Sequence, residues 1–352
     1  MVAALASHLG DVPAFIAAAL ALALLAACVG RAVDALGDRV SAAATGILQS
    51  ALGNLPELLI LVFALKAGLV TVVQATIVGS ILANVSLVLG VAFVAGGLRH
   101  GTQRFSGTAA RDLGLNLLLA VAALSLPSVT ALLHAPAAPH ERTLSQITSM
   151  VLLVAFGLSL LHTLRPGRGA VHQQATGDGT GQDPGNTEPL APEPADAAAQ
   201  WPLWLAVAVL AVTGVLAALV SDWFVTALTP AMAALHISDA FAGLVIVAIA
   251  GNAVENFVGI QLALKNKAET ALQVVLQSPV QIALFVAPVV LLASPLLGAG
   301  AFTLVLPPLL LVSLLISALL AVFITLDGES TWYEGAVLIA LYALIATAFW
   351  WG

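Results

Sequence analysis

Two short phrases in this chain place a carboxylate where carboxylates are rare. Gly53-Asn54-Leu55-Pro56-Glu57 recurs 198 residues later as Gly251-Asn252-Ala253-Val254-Glu255, each inside a long apolar run. A charged carboxylate near the centre of a bilayer costs about 2.5–3.5 kcal/mol on insertion scales, so its usual work there is to bind or relay a cation or proton. Glu57 stands nine residues before Lys66, and Glu255 ten before Lys265. At helical rise each carboxylate then lies about 14–15 Å inside the membrane edge, near the middle of a core about 30 Å thick. Two glutamates kept neutral as hydrogen-bonding glue would be the bland account. A duplicated acid beside a duplicated helix break fits a cation pathway better.

The neighbouring residues suit the same chemistry. Gly53 and Pro56 in the first phrase, and Gly251 in the second, interrupt helices, and a broken membrane helix frees backbone carbonyls to line an enclosed site. The next apolar run in each half carries polar residues. Gln74, Ser80 and Asn84 are in the first, with Ser80 and Asn84 four apart on one helical face. Gln273, Gln277 and Gln281 form a stripe in the second, with Ser278 beside it. Interhelical hydrogen bonding is an alternative use for such residues, and for Gln74 and Gln273 both uses stay open. The expected supporting set is therefore Gly53, Asn54, Ser80, Asn84, Gly251, Asn252, Ser278 and Gln281 around Glu57 and Glu255. Their donors are oxygens, which suit a hard cation such as Ca²⁺ better than a soft metal.

Composition bounds the scaffold. The chain has 352 residues, 61% hydrophobic and 8% charged, against about 25% charged in soluble domains. Ten apolar runs reach spanning length, at roughly 13–30, 41–65, 69–97, 109–133, 143–164, 201–221, 239–264, 269–293, 299–325 and 331–351. With these spans, Arg31, Arg39, Arg99, Arg104, Arg111, Arg165, Arg168, Lys265 and Lys267 fall on one side, and only Lys66 and Arg142 on the other. Basic residues favour the cytoplasm, which puts both termini outside it. The six tryptophans lie near span ends, as an aromatic belt would have them. The single cysteine, Cys28, is expected to be a small packed residue, since no basic n-region makes Leu25-Ala26-Ala27-Cys28 a lipoprotein signal. The histidines sit at span ends, in loops or in the linker, none in a metal-ligand pair. No nucleophile elbow, phosphate-cradling loop, zinc signature or nucleic-acid patch is present, so transport is expected rather than enzymatic chemistry.

A segment from about 166 to 200 is rich in Gly, Pro, Gln, Thr and Asp, and its composition suits a disordered cytoplasmic tether. It divides the spans five and five, giving a first repeat over 1–165 and a second over 201–352. Ala64-Leu65-Lys66 recurs as Ala263-Leu264-Lys265, Gln74 as Gln273, and Gly79-Ser80 aligns with Gln277-Ser278. Because five is odd, the second copy enters from the opposite side. The expected fold is an all-α polytopic membrane protein of two inverted five-helix repeats, whose half-sites meet near the midplane.

Gly53-Asn54-x-x-Glu57, Val73-Gln74-Ala75, Gly79-Ser80-Ile81-Leu82-Ala83-Asn84 and Leu87-Val88-Leu89-Gly90 resemble the first signature repeat of the cation/proton exchanger family, within the Ca²⁺/cation antiporter superfamily. Gly251-Asn252-Ala253-x-Glu255, Lys265-Asn266-Lys267 and Gln281-Ile282-Ala283-Leu284-Phe285-Val286 resemble the second, and Trp332-Tyr333-Glu334-Gly335 the family's last helix. The resemblance implies a Ca²⁺/H⁺ antiporter of ten core helices in a bacterial inner membrane, with Ca²⁺ and H⁺ as cargo and no cofactor. It makes Glu57 and Glu255 the exchanging carboxylates. The chain departs from the pattern at Asn256, where many members carry histidine, and at Gln277-Ser278-Pro279, where they carry Gly-Ser-Ser. A Na⁺-coupled Ca²⁺ exchanger, a Na⁺ or K⁺/H⁺ antiporter and a cation channel are the alternatives.

Overall fold

Spans that must satisfy every backbone group without water form helices, and helices dominate the structure. The computed structural model describes residues 10–37, 52–163, 201–298 and 302–351. In chain order the helices are α1 (Asp11–Gly37), α2 (Leu55–Lys66), α3 (Val70–His100), α4 (Gly107–Leu132), α5 (Glu141–Thr163) and α6 (Leu203–Leu235). They continue with α7 (Asp239–Gly251), α8 (Ala253–Leu264), α9 (Ala268–Leu297), α10 (Pro308–Thr325) and α11 (Trp332–Trp350). Among the described residues eight helices are long and apolar enough to cross a membrane, and α7 with α8 makes a ninth span bent by 65°. Of the expected span at 41–65 only the C-terminal part is described, as the twelve-residue α2; the rest, like the linker at 166–200, lies outside the described residues.

The two halves interlock. α1 lies along α6, where Phe15 meets Phe224 at 4.8 Å between ring centroids. α3 packs its first half on α10 and its second half on α11, both from the other half of the chain. Reciprocally, α9 packs its first half on α4 and its second on α5. Such an exchange of partners is what a two-fold relation between the halves produces. Where α3 crosses α7, backbones touch: a Cβ on Gly243 would sit 2.5 Å from the Val72 carbonyl oxygen, and one on Gly79 would collide with Leu244. Glycine here lets two helices that bracket the site approach to backbone contact.

Three short π-helical turns interrupt the packed helices, at Ala83–Val88 in α3, Ala242–Val247 in α7 and Ile282–Val286 in α9. Such turns often accompany functional sites. Among the described residues of the expected span at 299–325, the helix begins only at Pro308. Proline restricts the residue before it to extended backbone, and Pro307-Pro308 therefore leave 302–307 as non-helical chain leading into α10. Its buried backbone is satisfied by side chains. Gln74 donates to the carbonyls of Thr303 (3.1 Å) and Val305 (2.9 Å), Ser128 bonds Leu304 and Leu306, and Ser145 accepts from Leu304 N–H at 3.1 Å. Gln74 is thus a structural tie from α3 to the non-helical 302–307 stretch.

At the end where α3, α8 and α10 finish, loops knit together. A two-residue antiparallel ladder pairs β1 (Gln103–Arg104) with β2 (Glu329–Ser330), and Arg104 meets Glu329 at 3.0 Å. This small ladder is the one departure from an all-α fold among the described residues. Cys28 is exposed on α1 rather than packed. The correction has a simple cause: with one buried stripe containing Phe15, Ala18, Leu22 and Val29, α1 turns its opposite face, Cys28 included, away from the bundle.

Candidate functional site

Both broken helices begin alike. α2 starts after Asn54 and α8 after Asn252, so each asparagine is an N-cap and each glutamate, Glu57 and Glu255, stands at the third helical position. Pro56 sits in the first turn of α2, where its missing N–H removes no helical bond. Asn-x-x-Glu at these positions has the spacing of a capping box, in which the cap side chain and the third residue satisfy each other's backbone N–H groups. Thr331 and Glu334 close such a box at the start of α11. Neither asparagine of the repeated phrase caps its own helix.

Both asparagines are instead turned across the repeat boundary. Asn54 Nδ2 donates to Gln281 Oε1 at 2.8 Å, over 227 residues of sequence. Asn252 Nδ2 lies 3.3 Å from Glu57 Oε1 and 3.1 Å from Ser80 Oγ, and closes on its own helix at the Ala248 carbonyl, 3.0 Å away. Ser80 Oγ donates to Glu57 Oε1. Ser278 Oγ donates to Asn252 Oδ1 at 3.1 Å, and Asn84 Nδ2 spans the Ser80 carbonyl (2.8 Å) and Ser278 Oγ (3.5 Å). Gly251 is packed on Glu57, where an added Cβ would lie 3.7 Å from the glutamate's Cβ and Cγ.

The Glu57 side of the site is buried, while Glu255 and Gln281 are half-buried. Glu57 is 1% exposed, and Ser80, Asn84, Asn252, Ser278 and Asn54 are all buried. Several acceptor oxygens there have no hydrogen-bond partner: Glu57 Oε2, Glu255 Oε2, Asn84 Oδ1 and, next in the chain after Glu255, Asn256 Oδ1. Buried acceptors left open are costly and call for a functional explanation. Oxygen acceptors at half-helix N-termini, with two carboxylates among them, can hold either protons or a hard cation.

Six of the ten expected residues, Glu57, Ser80, Asn84, Gly251, Asn252 and Ser278, are joined by contacts; Asn54 and Gln281 form a bonded pair of their own, Glu255 stands four residues past Gly251 on α8, and Gly53 lies in the turn that opens α2. The glutamine stripe of α9 divides. Gln281 enters the site, Gln273 donates to Glu269 at 3.2 Å, and Gln277 is exposed. Ala248, whose carbonyl anchors Asn252, and Asn256, with its open oxygen, were missed as site residues. The second was legible as a buried amide adjoining a membrane glutamate. The first had no signal, because a backbone carbonyl carries no residue identity.

Broken helices that each begin with a membrane glutamate, in two interlocked halves, define a polytopic α-helical membrane protein of the ion-exchanger class. The chain belongs to the sodium/calcium exchanger protein family, whose pattern matches residues 11–165 and 205–351. It is 35% identical to the Ca(2+)/H(+) antiporter of Aphanothece halophytica over 97% of this chain and 91% of that relative. It is 33% identical to the Ca(2+)/H(+) antiporter ChaA of Bacillus subtilis, over 92% and 88%. Among solved structures, native YfkE superposes with a TM-score of 0.76 at 29% identity, covering 98% of this chain and 94% of that one. The H+/Ca2+ exchanger CAX shares the fold at 15% identity, with a TM-score of 0.69 over 97% and 85%.

Proposed function

We propose that this protein exchanges Ca²⁺ for H⁺ across a bacterial inner membrane by alternating access, with Glu57 and Glu255 binding either ion. The supporting observation is the reach of Asn252 from the second repeat to Glu57 and Ser80 of the first. It makes one site from two half-sites, so movement of one half against the other changes both. Ca²⁺ takes six to eight oxygens, and open carboxylate and amide oxygens supply part of such a shell. Protons compete for the same carboxylates, which titrate as a coupled pair. One Ca²⁺, or protons on the two acids, neutralises the buried charge, whereas a doubly ionised empty site is too costly to carry across. That difference couples the ions.

In this reading 1–165 and 201–352 are the two inverted repeats of a ten-span fold, joined by a cytoplasmic tether over 166–200, with both termini extracytoplasmic. Ser80, Asn84, Ser278 and Gln281 support the carboxylates, as do Asn54, Asn252 and the glycines Gly53 and Gly251. Proteoliposomes holding the full chain provide the test. An imposed proton gradient should drive ⁴⁵Ca movement, and Glu57→Gln or Glu255→Gln should abolish it. Full activity in either variant excludes this site, and a requirement for Na⁺ in place of H⁺ would reassign the counter-ion.

A further inference from the structure

At the end of the molecule remote from Lys66, a cavity of about 550 Å³ opens between the C-terminal ends of α3 and α8. Arg99, His100, Gln261, Leu264 and Lys265 line it. Three of these five residues are basic or can become so. Carboxylates at this end are engaged elsewhere: Glu329 by Arg104 at 3.0 Å, Glu269 by the Ser106 backbone N–H and by Gln273, Glu334 by Thr331, and Asp327 by the Glu329 backbone N–H. Among the described residues neither Arg99 nor Lys265 enters an ion pair. A concave site with unopposed cations attracts an anion, and phosphate oxygens match arginine's donors.

The walls say which anion. Phe257, Gln261 and Lys265 follow one another at four-residue spacing, on one face of the α8 helix and its end. Phe257 is 63% exposed and Val258 39%, on a helix that crosses the apolar layer. Beside the cavity, Leu98, which precedes Arg99 on α3, is 71% exposed. The surface therefore runs from an apolar, lipid-facing stripe into a cationic cup at the membrane edge. That is the polarity of an amphiphile standing in the leaflet, and free phosphate would have no use for the apolar stripe. We propose that this cavity seats the phosphodiester headgroup of an anionic lipid between Arg99 and Lys265, with its acyl chains along Phe257, Val258 and Leu98. His100 donates from Nε2 to the Leu264 carbonyl at 2.8 Å and holds the two walls together.

The purified full-length chain, delipidated and then offered equal phosphatidylglycerol and phosphatidylcholine, should retain phosphatidylglycerol in native mass spectra. A basic group near the membrane surface contributes about 1 kcal/mol to anionic-lipid attraction, or about fivefold in affinity. Lys265→Gln should thus reduce retention about fivefold, and Arg99→Gln with Lys265→Gln about 25-fold. Arg111→Gln, at an exposed cation on α4 that does not line the cavity, should leave retention unchanged. If the double variant fails to fold, Lys265→Gln alone decides, since that side chain is exposed just past a helix end. Equal retention of both lipids, or equal loss in the Arg111 variant, overturns the proposal. So does inorganic phosphate that binds the lipid-free chain in a Lys265-dependent manner and displaces the lipid, since the site would then be one for free phosphate.

Discussion

The asparagine of each repeated phrase occupies a position that would ordinarily stabilise a helix start, and both asparagines are diverted. A capping asparagine contributes about 1 kcal/mol where it caps, yet Asn54 and Asn252 bond to the opposite half of the chain. Comparison within the molecule makes the point testable. Thr331→Ala removes a true capping box; thermal unfolding should show a loss of about 1 kcal/mol, with Ca²⁺ affinity unchanged. Asn252→Ala removes hydrogen bonds to a charged group, worth about 1.5–3 kcal/mol, so apparent Ca²⁺ affinity in a flux or calorimetric titration should fall tenfold or more. Equal effects of the two substitutions would mean that Asn252 is structural. The pH dependence has a fixed sign. Because protons and Ca²⁺ compete, lowering pH through the range where the pair titrates must weaken Ca²⁺ binding, by about tenfold per pH unit for each proton displaced. Titrations at stepped pH read that slope directly.

At the scale of elements, much of the site was legible because polarity is conspicuous in an apolar chain. Glu57, Glu255, Ser80, Asn84 and Ser278 could be selected by type and spacing alone. What sequence could not show was direction. Gln74 and Gln273 occupy matching places in the two halves, yet Gln74 ties down the 302–307 stretch and Gln273 pairs with Glu269. Helical spacing also treats Gln273, Gln277 and Gln281 as equivalent, although the tertiary partners of α9 bury one face and leave Gln277 outside. The start of α10 was misplaced because an apolar run reads the same whether helical or extended; Pro307-Pro308 was the overlooked signal. The crossing of α3 with α7 carries an element-scale prediction. Gly243→Val places a branched side chain against the Val72 carbonyl and Ala75 Cβ. Overpacking of that kind costs about 1–3 kcal/mol. The melting midpoint should drop, and Ca²⁺-driven proton flux with it, while Gly157→Val on α5, where nothing lies within 4 Å of an added Cβ, should leave both nearly unchanged.

At the scale of the whole molecule, the interlocking of the halves decides what each can do alone. α3, which carries Ser80 and Asn84, is held by α10 and α11; α9, which carries Ser278 and Gln281, is held by α4 and α5. Neither half therefore encloses its own site helix, and neither brings both a carboxylate and its cross-repeat asparagine. Residues 1–165 and 201–352 made as separate chains in one cell should consequently find each other in the membrane, copurify through a tag on either, and restore Ca²⁺-dependent proton flux after reconstitution. Each half made alone should be inactive and rapidly degraded, since its third helix exposes a face shaped for the absent partner. The expected sidedness can be read on the same molecule. In a Cys28→Ser background, Lys66→Cys and Lys267→Cys stand at opposite ends, and a membrane-impermeant maleimide added to intact cells should label the first and spare the second. Labelling of both, or of Lys267→Cys alone, would reject the orientation drawn from the basic residues. Flux from one half by itself would reject the shared site.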